Sequence, residues 1–147
     1  MAFEFRLKKV LKYRQDQKEL AKEELSNRRR ELDLLQDELQ GLHGKGQALL
    51  NFYRERQAKA IDVRLLRNIE NYRSHLQECT ERKQQECRQS SSKVEEQRQV
   101  VLGFWKNCQV LKKLQEKSFM DYQQEEKQKE QYFHDELSLR LYLRHGR

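Results

Sequence analysis

Apolar residues recur along this chain at alternating spacings of three and four, the signature of a helix that buries one narrow stripe. Early in the chain one core line reads Leu11, Lys18, Leu25, Leu32 and Leu39. The other reads Leu7, Arg14, Ala21, Arg28, Leu35 and Leu42. Three of these slots carry long cations, whose stems lie along the seam while their charged heads reach water. A second register runs Leu65, Ile69, Tyr72, Leu76, Cys79 and Lys83. It weakens through Glu86 and Ser90, then resumes at Val100, Phe104, Leu111 and Leu114. One phase held over about fifty residues predicts a single long helix.

Two breaks compete between the registers. Gly41, Gly44 and Gly46 disfavour helix by about 1 kcal/mol each relative to Ala. Further on, Asp62 suits an N-cap, with Ile61 and Leu66 at the spacing of a hydrophobic staple. The later break is preferred, because Leu49, Leu50, Phe52 and Tyr53 carry an apolar face past the glycines. The expectation is an all-α fold of two long helices in an antiparallel coiled-coil hairpin. Helix 1 would span about 4–56, the turn about 57–62 and helix 2 about 63–143, all in one coiled-coil domain over 1–147. At about 1.5 Å per residue the helices would measure roughly 80 and 120 Å. Residue i would face residue 120 minus i, so Leu39 meets Cys79 and Lys83. Helix 2 is then the longer and overhangs from about residue 117. Its far end carries Tyr132, Phe133, Leu137, Leu139, Leu141, Tyr142 and Leu143, an apolar stretch that asks for a partner.

Composition narrows the reading further. Charged residues make up 37% of the 147, hydrophobic residues 35%, and mean hydropathy is -1.18. That is too little apolar material for a globular core, but enough for a coiled-coil seam. The net charge is +7, with the basic excess greatest in the first thirty residues. Elsewhere the two signs are interleaved, as on a solvated helix face, so nucleic acid is a disfavoured partner. Cys79, Cys87 and Cys108 have neither metal-ligand nor disulfide-framework spacing, and free thiols fit a reducing compartment. No stretch approaches the apolar length of a membrane span. These features predict a soluble chain that stays inside the cell.

No catalytic constellation emerges, and neither a metal nor a cofactor is expected. Gly41-Leu42-His43-Gly44-Lys45-Gly46 lacks the Gly-Lys-Ser/Thr ending and the preceding strand of a phosphate loop. His43, His75, His134 and His145 are dispersed, and adjacent pairs such as Glu23-Glu24 point different ways on a helix. Exposed aromatics are more informative. Tyr53 and Tyr72 lie toward the tip of the hairpin, and rigid aromatic side chains on a narrow coiled coil are candidate interface anchors.

The segment Met1-Ala-Phe-Glu-Phe-Arg-Leu-Lys-Lys-Val-Leu11, with Arg14 and the heptads behind it, resembles the FliJ family of flagellar type III export proteins. Leu114-Gln-Glu-Lys117, Tyr122 and Asp135-Glu136-Leu137 are similar to that family's far end. The resemblance implies a two-helix coiled coil like the stalk of a rotary ATPase, not itself an enzyme. It further implies a component coupling the hexameric export ATPase to the membrane export gate and assisting export chaperones and their substrates. The implied place is cytoplasmic, peripheral to the inner face of the cell membrane at the flagellar base. Phe5, Arg6, Lys8, Lys9, Lys12, Tyr132 and Phe133 would then meet the ATPase ring. Leu42, Leu49, Tyr53, Tyr72, Leu76 and Cys79 would meet the gate. Some family members carry aromatics where this chain has Leu49 and glycines. Two other classes remain open on the residues: a basic helical nucleic-acid binder, and a structural coiled-coil spacer.

Overall fold

A computed structural model of the protein describes residues 2–146. Two helices make up almost all of it: α1, Lys8–Gln57, with 50 residues, and α2, Val63–His145, with 83. They pack against each other, α2 is the longer, and no strand occurs among the described residues. The helix α1 runs unbroken through Gly41, Gly44 and Gly46. A cost of about 1 kcal/mol per glycine is too small to stop a helix whose stripe continues on both sides. The chain turns at 58–62 instead. There the Lys59 N–H donates to the Arg56 carbonyl at 3.0 Å. Asp62 caps α2: its Oδ1 accepts from the Arg64 N–H at 3.3 Å, and its carbonyl from Leu66 at 3.1 Å. One donor that the first turn of a helix leaves free, the Arg64 N–H, is thereby satisfied, and the Asp62 carbonyl closes the first intrahelical bond.

Packing separates the chain into two compact units. One runs from Leu20 to Val101; the other joins the residues up to Glu19 with those from Leu102 onward. In the first unit, α1 buries Ala21 and Leu25 and half-buries Arg28, Leu32, Leu35, Leu39, Leu42, Gly46, Leu49 and Tyr53. This is the expected register, and it continues through Gly46. Opposite, α2 buries Ile69, Leu76 and Gln97. The pairing is antiparallel and fixed by polar contacts. Gln97 Nε2 donates to the Ala21 carbonyl at 3.0 Å, and Arg28 Nη1 to the Lys93 carbonyl at 3.1 Å. Lys83 Nζ sits 2.8 Å from both Glu38 and Glu86. Residue numbers in these pairs sum to about 120, as two helices rising at about 1.5 Å per residue from one turn require. Hydrogen bonds to Glu38 and then Glu86 hold the Lys83 ammonium well above the ordinary lysine range.

The register of α2 departs from the expected one. Beyond Leu76 and Lys83 the next seam residues come three later, at Cys79 and Glu86. Beyond Ser90 and Gln97 they come four later, at Val94 and Val101. A straight helix drifts about 20° per heptad, so a long seam must migrate round it or supercoil. Val100, expected in the seam, is consequently exposed.

In the second unit the same drift puts Gln115 in the seam and leaves Leu114 exposed. Cys108 is 1% exposed and is the most deeply buried side chain described. Helix α1 starts at Lys8 rather than near residue 4. The residues before it offer no Ser, Thr or Asn cap. Phe5 is buried, and Phe3 packs edge-on against Phe119 at 5.2 Å and tilted against Tyr122 at 5.5 Å. A turn precedes α1, with the Lys8 N–H donating to the Phe5 carbonyl at 3.0 Å, and the non-helical residues before it lie along α2. Half-buried positions reach Tyr122 and Glu126, and the uncovered part starts at Lys127 rather than near 117. Every described residue from there on is exposed, and α2 ends at His145, just past the expected 143.

Candidate partner-binding surfaces

The first surface, in the unit from Leu20 to Val101, follows from a missing side chain. Gly46 occupies a seam slot between Leu42 and Leu49, and a Cβ placed on it would meet nothing within 4 Å. Where a leucine would fill the seam, a groove of about 840 Å³ remains. Leu42, Leu49 and Tyr53 of α1 and Leu66, Ile69 and Leu76 of α2 form its apolar floor, and Glu70, Arg73 and Glu81 its rim. A concave apolar floor with a few polar groups at its edge is the usual form of a docking site.

Of the six residues expected to meet a gate protein, the groove gathers Leu42, Leu49, Tyr53 and Leu76. Leu76 is buried, so its larger contribution is to the helix pair itself. Tyr72 lies outside the groove lining and is 44% exposed. Cys79 is half-buried, with its Sγ 3.7 Å from His75 Nε2. Sequence reasoning missed Gly46, Ile69 and Leu66 as lining residues. The spacing 42, 46, 49, 53 carries the signal for Gly46, since it continues the first register without a slip. Nearer the turn, the Arg56 guanidinium lies over the Phe52 ring at 5.3 Å, covering part of an otherwise exposed aromatic.

The second surface belongs to the unit that holds both chain ends. Phe5 is buried against its own fold, whereas Arg6, Lys8, Lys9 and Lys12 are exposed. No acidic residue occupies the first turn of α1. The positive end of the helix dipole thus adds to the lysine charges, and the patch suits an acidic partner. Tyr132 and Phe133 are 73% and 60% exposed, with Leu139, Leu141, Tyr142 and Leu143 similarly open. Internal ion pairs support this uncovered helix: Lys129 with Glu126 at 3.0 Å and Arg140 with Glu136 at 2.6 Å.

Among the described residues, no group of three or more His, Cys, Asp or Glu is placed to hold a metal ion. No helix is long and apolar enough to cross a membrane. Cys79, Cys87 and Cys108 are free thiols. The two surfaces offer recognition by shape, apolar contact and charge.

Comparison with known families gives one match. The family model described as flagellar FliJ protein covers residues 3–147. No curated protein and no solved structure matches the chain.

Proposed function

The chain belongs to the FliJ family of flagellar proteins, and from that premise we propose that it couples the flagellar export ATPase to the membrane export gate. In this reading it works as one coiled-coil domain, hydrolyses nothing itself, and assists delivery of export chaperones and their substrates. It acts in the cytoplasm, peripheral to the inner face of the cell membrane at the flagellar base. One observation carries the proposal: each of the two units presents its own uncovered apolar surface. The groove around Gly46, with Tyr53 and the neighbouring Tyr72, is the surface for the gate. Lys8, Lys9, Lys12, Tyr132 and Phe133 form the surface for the ATPase ring. A two-sided adaptor needs two such surfaces, whereas a spacer needs neither.

The test is steady-state ATP hydrolysis by the purified cognate ATPase, titrated with this chain. Turnover is expected to rise to a plateau, and Tyr132→Ala with Phe133→Ala is expected to lower that plateau. Leu49→Ala with Tyr53→Ala should keep the stimulation and lose capture of the gate protein's cytoplasmic part. Unchanged turnover under demonstrated saturation would refute the coupling role.

A further inference from the structure

The uncovered end of α2 is patterned for a copy of itself. Residues 137–143 alternate strictly, with Leu at 137, 139, 141 and 143. A helix turns about 100° per residue and so divides those leucines between two opposite sides. Phe133, Leu137 and Leu141 form one stripe; Tyr132, Leu139 and Leu143 form the other. All six are exposed. The stripes differ in what flanks them. Along the first, Glu130 lies seven residues before Leu137 and Arg144 seven after, on the same face. Phe133 and Leu141 lie four before and four after. The second stripe continues into Gln128, Asp135 and Gly146, with no such opposition of charge.

The first stripe is therefore its own complement under a two-fold rotation through Leu137. That rotation brings Phe133 against Leu141 of a second copy and Glu130 against Arg144, each contact occurring twice. Such reciprocity defines an isologous interface. Neither Glu130 nor Arg144 has an ion pair among the described residues, so pairing costs no existing bridge. The opposite polarity, two parallel copies, would set Glu130 against Glu130 and Arg144 against Arg144.

We infer that the protein forms an antiparallel homodimer through the Phe133–Leu137–Leu141 face of its α2 end, closed by reciprocal Glu130–Arg144 ion pairs. Three apolar side chains per copy make a small interface, so the dimer is weak and concentration-dependent. It uses the end proposed above to meet the ATPase ring and competes with that binding. The two readings are independent, however, and either can fail alone.

The test is light scattering of the full chain from low micromolar concentration to its solubility limit. Mass is expected to rise from 18.0 kDa toward twice that value. Leu137→Glu with Leu141→Glu should hold it at the monomer, with helicity by circular dichroism unchanged. Leu139→Glu with Leu143→Glu, which removes as many leucines from the other face, should dimerise as the parent does. Glu130→Arg or Arg144→Glu alone should weaken the dimer about fivefold or more, two ion pairs being lost per dimer. The two together should restore it, because the exchange regenerates the pair. A monomer at the solubility limit overturns the inference. So does equal loss in both leucine variants, or a charge exchange that fails to restore.

Discussion

Two stretches of one seam, both between Leu20 and Val101, are built on opposite principles. From Ala21 to Glu38 the leucines of α1 face a polar stretch of α2 and the seam is fastened by polar side chains: Gln97 on the Ala21 carbonyl, Arg28 on Lys93, Lys83 on Glu38. From Leu42 to Tyr53 the facing side chains are apolar, Ile69 and Leu76 among them, and the seam is left incomplete at Gly46. The buried Gln97 contact brings little net stability but penalises every other register, since a slip leaves its amide unsatisfied, whereas the two more exposed contacts add to alignment weakly. Consistent with that role, no buried side-chain polar atom among the described residues lacks a partner. The incomplete stretch gives up packing and retains a surface. The difference teaches that alignment and recognition have been assigned to neighbouring turns of the same helices.

The sharpest way to break the comparison is truncation on each side of it. Leu25→Ala removes a buried leucine from the fastened stretch and is expected to cost about 3 kcal/mol. Leu49→Ala, half-buried at the open groove, should cost nearer 2 kcal/mol, because part of that side chain is already in water. Urea unfolding measures both, and equal costs would erase the distinction. Filling the groove comes next. Gly46→Leu is expected to raise stability by about 1.5 kcal/mol, from helix propensity plus burial. It should at the same time abolish capture of the groove's partner, which a pull-down reads directly.

The smallest effect concerns Lys83. Its folded pKa is raised by Glu38 and Glu86, so its contribution is complete below the unfolded lysine value, about 10.4. It is lost only as pH climbs through the still higher folded value. The melting-temperature gap between the parent and Lys83→Gln should therefore stay level from neutral pH to about pH 10 and close above it.

Much of this was legible in the sequence because a coiled coil writes its contacts as a period. Leu11, Ala21, Leu25, Leu35 and Leu42 fall where spacing puts them, and Asp62 announced the turn through its capping chemistry. The family resemblance carried by residues 1–11 agrees with the match over 3–147. What escaped was cumulative or geometric. The drift of the α2 seam from Val100 to Val101 and from Leu114 to Gln115 grows by a few degrees per turn, below the resolution of residue spacing. The non-helical course of Phe3 and Phe5 is hidden because a short apolar run fits helix or other backbone equally well. Spacing marks Gly46 only as a weak point in a continuing helix, and its vacancy in the seam shows only when both helices are in place.

The aromatic clasp of Phe3 on Phe119 and Tyr122 also fixes an order of events in time. Loop closure costs more as the loop lengthens, so contacts nearest the 58–62 turn have the entropic advantage. The Arg28–Lys93 contact, 65 residues apart, is favoured before Gln97–Ala21, 76 apart. The clasp joins residues 116 and 119 apart, so loop closure favours it after both of those contacts. Assembly is therefore favoured to spread outward from the turn, and the basic stretch from Lys8 to Lys12 is fastened late.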